Sequence, residues 1–249
     1  MTPSTQPPDR ALRAAATSVD ITPDPVEGVF LAGFAPNRTA LGLLDPIEAG
    51  VLILGFGHQR VALVTVDLIG LGLDIVDRIR SRVTAVPAKD VIICATHTHS
   101  GPDTLGMWGP AFLGLIPKAT GVDPAYIDRL VARISAAVDE AAARLEPATL
   151  RAASYEVDPR WTRNDRSKGG RHDAAVGLAF DDAAGEPIAT LLNFGSHPET
   201  LWEKNRLLSP DYPGAFRRRM REASKGVPLF FQGVLGGMLT PNTPPKPSF

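Results

Sequence analysis

Apolar positions in this chain follow two rhythms. Short, mostly apolar runs bounded by turn formers alternate with stretches where apolar residues recur every third or fourth position. The first rhythm predicts strands and the second predicts helices. Residues 14–22 read as an opening strand, closed by Pro23 and Pro25. Residues 49–56 and 60–68 read as a hairpin across Gly57, His58 and Gln59. Residues 71–86 have helical spacing, with Leu73, Val76, Ile79 and Val83 on one stripe. Residues 90–95 form a strand, and 103–122, rich in glycine and proline and without a period, form a loop. A second helix opens with Asp123 as N-cap and Pro124 at its first position. It runs to about Leu145 with Ile127, Leu130, Ile134 and Val138 facing inward. Strands follow at 150–157, 174–180 and 187–194, the last two joined by a turn over 181–185. A short basic helix (214–223) and a strand (227–231) close the pattern. The predicted fold class is α/β, a mixed β-sheet flanked by helices.

Composition narrows the field. A chain of 249 residues with 44% hydrophobic content can bury a sizeable core without staples. A net charge of −1 gives no electrostatic footprint for nucleic acid. The single cysteine, Cys94, excludes an intrachain disulfide framework and, inside an apolar run, reads as an inert thiol. Residues 1–19 lack the apolar core of a signal peptide. The most apolar span, 61–76, is broken by Asp67 and Asp74 and is too short to cross a bilayer. The expected location is cytoplasmic. Residues 1–13 are expected to be disordered, 14–242 to form the catalytic domain, and 243–249 to be a proline-rich tail.

Two stretches carry chemistry. In Cys94-Ala95-Thr96-His97-Thr98-His99-Ser100-Gly101-Pro102, an apolar strand ends on a Gly-Pro breaker with two of the five histidines beside it. Histidines two apart on an extended backbone share a face, roughly 6–7 Å apart at about 3.3 Å per residue. That suits one imidazole on a metal and a second facing a substrate. The arrangement recurs in Asn193-Phe194-Gly195-Ser196-His197-Pro198-Glu199, where Pro198 ends the ladder beside His197. Two strand ends of one sheet would let His97 and His197 share an ion, with zinc the expected metal, at adjacent ends. A catalytic zinc usually has a third protein ligand. Asp211, Glu199, Asp67 and Asp103 are the carboxylate candidates by composition alone. Arg163, in Arg163-Asn164-Asp165-Arg166, offers a guanidinium for an anion or a carbonyl, with a plain solvated loop as the alternative reading. The arginines 217–219 and 221 read as a solvated helix face, with a lipid-headgroup patch as the minor alternative. His58 and His172 read as exposed.

In order along the chain, A-T-H-T-H-S-G-P, R-N, N-F-G-S-H-P, L-S-P-D-Y-P-G and F-Q-G-x-x-G-x-x-x-T-P-N resemble the neutral/alkaline non-lysosomal ceramidase family. The likeness is to the N-terminal catalytic domain of its shorter bacterial members, and it covers residues 16–242. That resemblance implies a zinc-dependent amidohydrolase cleaving the N-acyl bond of ceramide or a related lipid amide to a fatty acid and an amine. It implies His97 and His197 as zinc ligands. His99 falls on a histidine lining the substrate amide, and Arg163 on the family's loop arginine. Thr240 stands where the family has a serine beside the scissile bond, and Gly237 where it has an aspartate.

The family completes its zinc site with a glutamate and a tyrosine well downstream of the serine segment, and this chain ends at Phe249. The expectation is therefore a domain incomplete at its C-terminus, with weak zinc binding and little activity alone. Two alternatives remain open. One is a non-catalytic or weakly metal-binding fragment. The other is a zinc hydrolase of another substrate class. The metallo-β-lactamase motif also opens H-x-H, but continues with aspartate and histidine where Gly101 and Pro102 stand.

Overall fold

The computed structural model describes residues 11–166, 170–224, 226–235 and 239–243. Gly237, residues 1–10 and residues 244–249 of the tail lie outside the described residues. The strands in chain order are β1 (Leu12–Asp20), β2 (Gly42–Leu43), β3 (Glu48–Phe56), β4 (Gln59–Val66), β5 (Val91–Ala95), β6 (Ala111–Phe112), β7 (Ile116–Pro117), β8 (Glu146–Glu156), β9 (Thr162–Asn164), β10 (Ala174–Asp182), β11 (Pro187–Phe194), β12 (Leu207–Leu208), β13 (Val227–Gln232) and β14 (Leu239–Pro241). The helices are α1 (Leu73–Arg82), α2 (Pro124–Ala142) and α3 (Tyr212–Ala223).

Eight strands line up as β13-β11-β10-β8-β1-β3-β4-β5. The pairs β4–β5 and β11–β13 are parallel and the rest antiparallel, so the sheet is mixed as expected. Its centre is thin. β1 and β8 are paired only at Arg13–Pro147 and Ala14–Glu146. The sheet therefore divides into two four-stranded halves, which fold over one another. Ala14 and Leu52 of one half pack against Phe180, Ala189, Leu191 and Leu229 of the other. The Thr65 hydroxyl donates to the Phe230 carbonyl across this contact at 2.6 Å.

β3 shows why its half is covered on both sides. Ala49, Val51 and Ile53 face one way, toward Leu130, Ile134 and Val138 of α2. Leu52 between them faces the other half. Period-2 alternation puts successive side chains on opposite faces, and here both faces are apolar. α1 adds Ile75 and Ile79 to the same helical layer. The expected stripe Leu73, Val76, Ile79 and Val83 is shifted, because Leu73 is exposed at the helix start.

α2 begins as predicted. Asp123 accepts from Ala125 N at 2.9 Å, with Pro124 at the first helical position. Asp123→Ala should cost about 1 kcal/mol, read as a lower urea midpoint at unchanged slope. The loop 103–122 contains the small β6–β7 hairpin, which its composition does not reveal. Among the described residues, no helix is long and apolar enough to cross a membrane. Cys94 is half-buried and unpaired, and burial pushes its thiol pKa up.

On the basic helix Arg218, Arg219 and Arg221 are exposed as expected, and Arg217 alone departs. Arg217 is not on a wet face: it is buried and forks onto Asp67, with a second contact to Glu48 Oε1 at 2.8 Å. Arg218 pairs with Asp45, Arg219 with Glu222, and Arg221 with Glu48. These cations neutralise the protein's own carboxylates because α3 lies across the ends of β3 and β4, where Glu48 and Asp67 sit.

Candidate active site

The site forms where the chain leaves the parallel strands. β5 and β11 are not neighbours, as a shared strand edge would require: five strands lie between them in the sheet. They meet because the two halves stack and open at the same end. The segments after β4, β5, β11 and β13 converge there, stitched by main-chain bonds. Thr96 N donates to Val66 O (2.8 Å), His97 N to Leu68 O (2.9 Å), His99 N to Pro198 O (3.0 Å) and His197 N to Leu239 O (2.9 Å).

His97, His99 and His197 form one cluster, with a candidate ligand atom of each within 4.8 Å of the others. Ring centroids are 5.2 Å apart for His97–His197 and His97–His99, and 5.5 Å for His99–His197. Two of the rings have a defined tautomer. His97 Nδ1 lies 2.7 Å from Ile69 O, and His197 Nδ1 lies 2.7 Å from Leu239 O. A carbonyl can only accept, so each Nδ1 carries a proton, and in the neutral tautomer this selects, the lone pair is on Nε2. Such outer contacts orient metal-binding histidines. His97 reaches this pose with a left-handed backbone (φ 68°), a conformation that non-glycine residues rarely adopt.

His99 is different. It is buried, and neither ring nitrogen makes a hydrogen bond. Its Nδ1 lies 3.3 Å from Glu199 Oε2, but not in bonding alignment. Burial, reinforced by His97, His197 and Arg38, pushes the His99 pKa down to about 3. Burial also lowers His97. These imidazoles are therefore neutral at pH 7, the form that ligates metal. Arg38 fixes the His99 backbone by donating to the His99 and Ala32 carbonyls.

The four carboxylate candidates separate cleanly. Asp67 is taken by Arg217. Asp103 accepts from the Leu105, Gly106 and Trp108 amides and so shapes its own loop. Asp211 caps α3 and ties down Thr200 and Leu201. Only Glu199 enters the site, where it accepts the Thr240 hydroxyl. Thr240 is buried and pairs with Arg163 in the β9–β14 ladder. Arg163 is thus beside the site, its guanidinium engaged with Asp165 (2.7 Å) and Pro241 O (3.2 Å) and stacked 5.7 Å from the Trp202 ring centre. His58 and His172 are exposed, as expected. Sequence reasoning did not find Arg38 or the Ile69 and Leu239 carbonyls, since contacts to main-chain acceptors leave no signature.

The fold is that of a ceramidase-type domain. The neutral/alkaline non-lysosomal ceramidase N-terminal family matches residues 14–229, and the chain belongs to that family. The match takes in His97, His99, Arg163 and His197 and ends before Thr240. The neutral ceramidase of Pseudomonas aeruginosa is 27% identical over 192 residues, covering 70% of this chain and 28% of that protein. The crystal structure of neutral ceramidase from that organism superposes with a TM-score of 0.77 at 23% identity, over 96% of this chain and 41% of that one. A ceramidase complexed with C2 gives 0.76 at 24% identity, over 94% and 39%. At these identities the structural likeness bears on the fold. The chain spans well under half the length of these relatives.

Proposed function

We propose that this chain provides the metal-binding core of a hydrolase that cleaves the N-acyl bond of ceramide or a related lipid amide. Zinc is the proposed metal, held by His97 and His197. The carrying observation is the pair of Nδ1–carbonyl contacts, which leave two neutral Nε2 lone pairs in one cluster. Imidazole nitrogen suits zinc, and family membership supports the reaction class.

Bound there, a zinc ion would polarise an amide carbonyl and make water a stronger acid. The protein's own groups do the rest. His97 and His197 keep fixed tautomers through Ile69 O and Leu239 O. Neutral His99 presents two unused ring nitrogens to a substrate, one able to donate and one to accept. Arg163 and Thr240 stand opposite one another on β9 and β14, and Thr240 would meet the substrate's reacting end.

Zinc titration and an N-acyl cleavage assay test this together. Cleavage should be measured on the chain alone and with the downstream portion of the Pseudomonas relative supplied. Outer-shell partners are worth about 10–100-fold in metal affinity, so His97→Ala and His197→Ala should each weaken zinc by more than about 100-fold. Cleavage should fall with occupancy. Unchanged zinc affinity in the His97→Ala/His197→Ala protein would overturn the ligand assignment, and no N-acyl cleavage in either form would overturn the reaction.

A further inference from the structure

Thr240 stands where a hydroxyl beside a scissile carbonyl would be expected to donate, steadying negative charge on oxygen. Its proton is already committed. The Thr240 hydroxyl donates to Glu199 Oε1, and both residues are buried. A carboxylate offers acceptors only, so the hydroxyl proton points at Glu199 and the Thr240 lone pairs point elsewhere. Glu199 is itself held in place: Glu199 N donates to His197 O at 2.9 Å, and its second oxygen abuts His99 Nδ1 at 3.3 Å. On the far side, the ladder pairing of Thr240 with Arg163 fixes the Thr240 backbone.

We infer that Glu199 is a positioning residue that turns Thr240 into a hydrogen-bond acceptor, making the site selective for substrates with a donor at the reacting end, such as the N–H of a secondary amide. This rests on the amide-hydrolase reading above. An ester places an oxygen where the amide has its N–H, and an N-methyl amide places a methyl there. Each leaves the Thr240 oxygen without its donor. A buried polar atom left unsatisfied is penalised, which is how sites reject close analogues. The family pattern has serine at this position, so a hydroxyl alone does not define the polarity; its partner does.

Two measurements decide the matter. The first does not need turnover. Thermal unfolding of the wild type, Glu199→Gln, Thr240→Val and the double variant forms a cycle. The double variant should lose clearly less stability than the sum of the single losses, because the two groups share one bond. Additive losses would overturn the pairing. The second compares cleavage of a secondary N-acyl amide with that of the matching ester, each variant being read as the ratio of kcat/KM values. The amide-to-ester ratio should fall about two- to tenfold in Thr240→Val and in Glu199→Gln, and should be retained in Thr240→Ser. A general loss of metal or fold lowers both substrates together and leaves the ratio in place. A ratio unchanged in both variants would overturn the selectivity role. If the wild type cleaves neither substrate, the hydrolase reading and the selectivity drawn from it fall together, while the unfolding cycle still decides the pairing.

Discussion

Replacing Arg217 with methionine should destabilise the protein by about 3–5 kcal/mol, a large share of a typical folding margin of about 5–15 kcal/mol. Arg217 is 3% exposed and Asp67 is 0% exposed. Methionine fills much of the space but leaves the buried Asp67 carboxylate, among the described residues, with the Glu48 amide as its remaining hydrogen-bond partner. Burial already pushes the Asp67 pKa up, and Arg217 opposes that push. Without the arginine the folded protein holds a proton at Asp67 more tightly than the unfolded chain does. Stability then rises as pH falls. The variant should therefore be least stable at neutral and alkaline pH and regain part of the loss on acidification. Denaturant unfolding across pH 4–8 reads this directly. Adding Asp67→Asn should restore much of the loss, since the uncompensated charge is the source of the penalty. A loss below about 1 kcal/mol at pH 7 would show that the pair contributes little. Because Asp67 directly precedes Leu68 and Ile69, whose carbonyls hold His97, zinc affinity should fall alongside stability.

If the proposed reading holds, Gly33→Ala should lower N-acyl cleavage by about 100-fold with zinc binding at His97 and His197 retained. Gly33 has φ +105°, outside the range that alanine tolerates. A Cβ there would lie 2.4 Å from His99 Cγ and 2.7 Å from His99 Cα. Atoms do not approach that closely, and one of the two is main chain, so a rotamer change cannot relieve the clash. His99 must move with its backbone. Small misplacements of reacting groups cost about 100-fold. The check is kcat/KM beside zinc stoichiometry and circular dichroism. Wild-type activity in Gly33→Ala would remove His99 from the substrate side of the site.

Much of this was legible in the sequence, for specific reasons. The strands that became β3, β4, β5, β10, β11 and β13 are apolar runs with clear stops, and α2 carries its own start signal at Asp123-Pro124. His97, His99 and His197 stand at strand ends marked by Gly-Pro and by proline, so their shared location could be expected. What stayed hidden depends on pairing across distance. β9 and β14 are three-residue strands that exist only against each other, and no local pattern announces them. Arg217 looked solvated because its acidic partners lie about 150 residues away in sequence. Asp67, Asp103, Asp211 and Glu199 are chemically alike on paper, and only their surroundings separate a helix cap or an ion-pair partner from a residue in the site.

The two-pair seam between β1 and β8 has a consequence for how the protein assembles. Strands of one half come from residues 12–95 and those of the other from residues 146–232, so each half is nearly continuous in sequence. Each half contains one tight hairpin, β3–β4 or β10–β11, whereas the two halves are joined only through residues 96–145, a longer connection than any within a half. His97 and His99 belong to the early half and His197 to the late one. Neither half alone holds the cluster, so on the proposed reading metal capture requires that both halves have formed and docked.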